Sequence, residues 1–117
     1  MNVLDKHYPE ISFKTDAEDL KIMVDFINEA AFVNGSNLTV QMKASSALLK
    51  EIRHKIATKE MEKRGSRKTF LMKFKVYQIH ALIITFGNNE WINRNKPFEK
   101  NTILKYNNLF HQKLTGI

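Results

Sequence analysis

The sequence predicts a helix-dominated α+β domain, with about four helices packed against a small sheet of two or three short strands. Three observations lead there. Apolar residues recur at helical spacing in several long stretches, two short stretches alternate apolar with polar, and only 4 Gly and 2 Pro interrupt 117 residues. A chain of this length makes one compact domain, residues 1–117, and buries roughly two-thirds of its unfolded surface.

The first helix is the clearest element. Thr15, with Glu18 three residues on, has the spacing of a capping box, and Asp16 and Asp19 favour the positive helix start. Asn34–Gly35 supplies a left-handed stop. Leu20, Met23, Val24, Ile27, Ala30 and Ala31 fall on one face, which Ile22, Phe26 and Val33 widen to about half the circumference. So wide an arc predicts contact with two neighbouring elements.

Residues 38–44 alternate apolar and polar as a strand does, after which Ser45 or Ser46 can cap a second helix that Gly65 closes. Leu48, Leu49, Ile52 and Ile56 make its apolar stripe, with Glu51–Lys55 and Glu60–Arg64 as favourable pairs. The stripe fades after Ile56, so the last two turns should project into water. Phe70, Met72, Phe74 and Val76 alternate as in a strand, while Met72, Val76, Ile79, Ile83 and Phe86 also fit the start of a longer helix; the stretch reads as a strand near 69–75 running into a short helix near 77–86. No charged residue lies between Val76 and Asn89, which predicts deep burial. Residues 87–96 are a polar loop, and Pro97 opens a last helix with Ile103, Tyr106, Phe110 and Leu114 on its buried side. If the strands at 38–44 and 69–75 are parallel neighbours, the second helix is their right-handed crossover. Ile11–Phe13 offers a third strand.

Several chemistries are absent. Zero Cys excludes disulfides, thiolate-bound zinc, iron–sulfur clusters and a thiol nucleophile. The start, MNVLDKHYPE, mixes charge with Pro, unlike a secretion signal, and no apolar run reaches the ~18 residues of a membrane span. A cytoplasmic protein without a membrane partner is expected. The Gly-rich phosphate loops and the G-x-S-x-G nucleophile turn are missing. His7, His54, His80 and His111 are scattered; Glu51 and His54 have half the spacing of a di-iron site, but no second such pair exists. Neither a metal nor a cofactor is expected, and the chain reads as a binding protein rather than an enzyme. His54 falls on the polar face of its helix, while His80 reads as a hydrogen-bonded core histidine.

Charge is unevenly placed. Residues 1–37 carry a net −4, residues 38–75 a net +8 and residues 76–117 a net +3, giving the overall +7. Fifteen of the 19 basic residues are Lys, alongside 11 Asn and 11 Ile, a bias that an AT-rich coding sequence also produces. The densest cluster is Lys63, Arg64, Arg67 and Lys68 around a Gly65–Ser66 turn, and Lys50, Arg53 and Arg64 share one side of the second helix in projection. Phosphates of DNA or RNA would be attracted to such a tip, largely without base specificity. The plain alternative is that these cations solvate a helix end and complement its dipole.

In residues 68–77, alternation sets Phe70 and Phe74 opposite Lys73 and Lys75, so the rings belong to the core rather than to a stacking platform. Trp91, with Arg94 nearby in the polar loop, either folds back to cover the core or is a partner contact, since Trp and Arg are enriched at binding hot spots. The leading expectation is therefore a non-enzymatic nucleic-acid-binding module. The alternatives are a protein-interaction or homodimerisation module, and a small metal-independent ribonuclease using His80 or His54 beside Lys and Arg.

Overall fold

The computed structural model describes residues 9–32, 40–87 and 97–116. Its elements run β1 (Glu10–Thr15), α1 (Ala17–Phe32), α2 (Val40–Lys63), β2 (Phe70–Lys75), α3 (Val76–Phe86) and α4 (Pro97–Thr115). Among the described residues the architecture is the helix-dominated α+β fold expected, with four helices and a two-stranded sheet in one globule. No helix among the described residues is long and apolar enough to cross a membrane.

The sheet differs from the expected one in both membership and direction. β1 pairs with β2 antiparallel, Glu10 opposite Lys75 and Thr15 opposite Phe70. The stretch offered as a third strand is thus half of the sheet. Residues 40–44 of the expected strand at 38–44 lie inside α2, and Ser45 and Ser46 are helical positions rather than caps. Gln, Met, Lys and Ala are all good helix formers, and their propensity overrides a short alternation. Leu38, Thr39 and the Asn34–Gly35 stop lie outside the described residues.

Alternation along the two strands sends Ile11, Phe13, Met72 and Phe74 to the core side. There they meet Leu20, Met23, Phe26 and Ile27 of α1, Ile52 and Ile56 of α2, Ile79, Leu82 and Phe86 of α3, and Ile103, Tyr106 and Phe110 of α4. The broad face of α1 does touch two elements, α2 and α4. Phe13 is the aromatic hub. Its ring centroid is 5.0 Å from Phe110, 5.9 Å from Phe74 and 6.0 Å from Tyr106, separations at which ring pairs add about 0.5–1.5 kcal/mol beyond burial.

The start of α1 carries more than a cap. Asp16, not Thr15, is the capping residue: its Oδ1 accepts the Asp19 N–H at 2.8 Å. Thr15 ends β1, buried, and with Asp19 it receives the last helix. Tyr106 Oη lies 2.6 Å from Asp19 Oδ2 and 3.0 Å from Thr15 Oγ1, and Lys105 Nζ lies 3.3 Å from the same Asp19 oxygen. Asp19 therefore ties α4 to the β1–α1 junction, beyond the dipole role that its position suggested.

α3 is only half buried. Gln78, Ile79, Leu82, Thr85 and Phe86 face inward, but Tyr77 is 43% exposed, Ile84 77%, and His80 is exposed. His80 is accordingly not a core histidine. Absence of charge marks an apolar outer face here, not complete burial.

Removing the Tyr106 hydroxyl by Tyr106→Phe should cost about 1–3 kcal/mol in urea denaturation, because the buried Asp19 carboxylate loses a donor. Burial, together with the bond to Asp19, raises the Tyr106 pKa far above the ordinary tyrosine value. A folded-state pKa above the unfolded value of about 10 stabilises fully below that pH and is lost as pH rises past it. The melting temperature of the wild type should thus fall more steeply above about pH 10 than that of Tyr106→Phe.

Candidate nucleic-acid interface

The last three turns of α2 carry Lys55, Lys59 and Lys63 at intervals of four, about 6 Å apart along one side of the helix. That side faces β2. Lys55 Nζ sits 4.6 Å from the Phe74 ring centroid, while Lys59 and Lys63 sit 5.9 and 5.5 Å from that of Phe70. A cation over a ring face is attracted by the ring quadrupole, by about 0.5–1 kcal/mol at exposed sites. Lys55 also donates to the Lys73 main-chain carbonyl, fixing α2 against the strand. Burial lowers the Lys55 pKa below the usual lysine value; Glu10 opposes this, and Lys75 adds to it. These turns therefore do not simply project into water.

Between α2 and β2 lies a groove of about 570 Å³, lined by His54, Lys55, Thr58, Lys59 and Glu62 on the helix side and Leu71, Met72 and Lys73 on the strand side. Three ammonium groups edge it. The single carboxylate, Glu62, lies 3.7 Å from Lys59. His54, exposed on α2 as expected, stands among these lysines.

Beyond α2 the chain turns at Gly65, whose φ of +87° is the left-handed conformation that a residue without a Cβ adopts freely. Ser66 N–H donates to Lys63 C=O at 2.9 Å, and Lys68 N–H donates to Ser66 Oγ at 3.2 Å. Both amides are thus engaged within the turn. Arg67 and Lys68 are exposed on it.

The six basic residues expected to act together are divided by this geometry. Lys63 reaches the Phe70 ring at the start of β2, and Arg67 and Lys68 are exposed on the turn before it; none of the three lines the groove. Arg64 is held by Glu60: Nε donates to Oε1 at 3.1 Å and Nη2 to Oε2 at 2.8 Å. The hydrogen bond from Arg64 lowers the pKa of the buried Glu60 carboxyl. Arg53 Nη1 donates to Asn28 Oδ1 at 2.9 Å, joining α2 to α1. At 100° per residue, Arg53 and Lys50 lie on roughly the opposite side of α2 from the lysine row. Lys55, Lys59 and Lys73 enter instead, and the i, i+4 spacing of 55, 59 and 63 was the signal in the sequence for two of them. Trp91 and Arg94 lie outside the described residues.

A second, smaller recess of about 290 Å³ is lined by Leu48, Leu49, Tyr77, His80, Ala81, Ile84 and Thr85. His80 therefore stands apart from the lysine groove.

A methyl group added at Gly65 would meet nothing within 4 Å, so any cost is conformational. Gly65→Ala should destabilise by about 1 kcal/mol, and Gly65→Asn by less, when unfolding midpoints in urea are compared. Comparison with known families, characterised proteins and solved structures finds no match, so the functional reading rests on these residues.

Proposed function

We propose that this domain is a non-enzymatic module that binds nucleic acid through its phosphates, in the groove between α2 and β2 and on the adjoining turn. The observation that carries the reading is the gathering of Lys55, Lys59 and Lys73 around one groove with a single carboxylate among them. Lys63, Arg67 and Lys68 extend the positive surface towards the turn. Phosphate attraction of this kind is sequence-tolerant and weakens steeply with salt, because each contact releases condensed counterions. The ammonium groups over Phe70 and Phe74 are already held in place, which reduces the side-chain entropy lost on binding. Arg64 and Arg53 have structural partners in Glu60 and Asn28, so their part is to hold α2 rather than to contact phosphate. A cytoplasmic setting, suggested by the Cys-free composition, accords with this role.

Fluorescence anisotropy of labelled DNA and RNA at about 50 and 200 mM salt tests the reading. Binding should weaken by more than tenfold between the two. Lys59→Ala, Lys73→Ala and Arg67→Ala should each lower the salt slope by about 1, whereas Arg64→Ala should change it less. Absence of binding at the lower salt would remove the proposal.

A further inference from the structure

We infer that the ligand of the α2–β2 groove is a single strand, RNA or DNA, rather than a duplex. The inference rests on the phosphate reading of the same groove and adds what lies between the cations. The groove is concave, with ammonium groups on both walls: Lys55 and Lys59 on the helix, Lys73 on the strand. Between them lie apolar atoms, chiefly Leu71 and the aliphatic stems of the lysines, with the buried Met72 beneath. Leu71 is 57% exposed in this groove. A duplex offers such a surface its phosphates and groove edges but no base face, since its bases are stacked inside. An unpaired strand can lay a base on the apolar strip while its phosphates reach the lysines on either side.

The strand wall offers hydrogen bonds as well. Val76 N–H donates to Pro9 C=O at 3.3 Å across the antiparallel pair. By the alternation of such a ladder, the main-chain groups of Phe70, Met72 and Phe74 are aimed at β1 and those of Leu71, Lys73 and Lys75 away from it. Lys75 N–H is taken by Gln78 Oε1 at 2.9 Å, and Lys73 C=O by Lys55. Leu71 N–H and C=O and Lys73 N–H point along the open edge, with no further strand beside β2 among the described residues. The Leu71 C=O and the Lys73 N–H, an acceptor and a donor two residues apart, can meet a Watson–Crick edge, which is available only when a base is unpaired. The volume, about 570 Å³, falls within the range of sites that enclose small organic groups, roughly one or two nucleotides. His54 adds a ring at the helix wall that can stack on a base. Three carboxylates are set against a phosphate: Glu62, which lines the groove 3.7 Å from Lys59, and Glu10 and Glu51, whose charges reach Lys55.

The test uses the full chain with labelled single strands of about 12 nucleotides, oligo-U and oligo-dT, and the matched duplexes of each. At least tenfold tighter binding of either single strand than of its duplex is expected; the tighter of the two strands tells RNA from DNA. Leu71→Ser, at an exposed position, should weaken single-strand binding about threefold or more and leave duplex binding unchanged, whereas Lys73→Ala should weaken both. Glu62→Gln should strengthen both about twofold. In amide NMR spectra, the Leu71 and Lys73 signals should move on adding the single strand. Duplexes bound as well as single strands, or a Leu71→Ser variant that binds single strands like the wild type, would overturn the inference while leaving phosphate binding in place. Binding of neither form would remove both.

Discussion

Pairing of Glu10–Thr15 with Phe70–Lys75 is the constraint on which the rest of the molecule depends. All of α1 and α2 lies in the connection between these strands. Once the strands are in register, Phe13 and Phe74 stack on the inner face, and the helices between them are drawn onto one core. A slip of one residue would exchange the inner and outer sets, placing Lys73 and Lys75 among Phe13, Phe110 and Tyr106. The register is fixed at one end by the Pro9–Val76 bond and at the other by the Thr15–Asp16 junction, which the last helix grips.

The same pairing creates the candidate site. By taking one edge of β2, β1 leaves the other to α2, whose lysines lean across it. The groove is therefore a by-product of a two-stranded sheet with a helix alongside, not a separately built pocket. Its cations are of two kinds. Lys55 is partly buried, bonded to the main chain and shifted in pKa, so it serves the fold as much as a ligand. Lys73, Arg67 and Lys68 face water.

Helices were readable where a cap, a stop or a sustained stripe was present: α1, the C-terminal half of α2, α3 and α4 all fall close to where periodicity puts them. The strand at Phe70–Lys75 was only partly readable: its alternation competed with a helical spacing of Met72, Val76, Ile79, Ile83 and Phe86, and the structure resolves it as a strand leading into α3. Its partner was not readable. Alternation says that a segment is a strand, not which distant segment it joins, and residues 40–44 supplied a false candidate nearer in sequence. The basic turn was evident from its composition, and so was the Glu60–Arg64 pair, yet the neutralising effect of that pair on the proposed contact surface required geometry. His80 shows the limit of an uncharged stretch as a guide: lack of charge is common to a core and to an apolar surface, and only packing distinguishes them.

The meeting of Phe13 with Phe110, 5.0 Å apart, spans nearly the whole chain. During synthesis the first strand emerges long before the helix that covers it. Until α4 is made, Phe13 and Phe86 lack the Phe110 ring that covers both. Contacts so distant in sequence also slow folding, since much loop entropy is lost before they form. The hydroxyl of Tyr106 arrives on the same helix, so the polar latch and the aromatic lid close together.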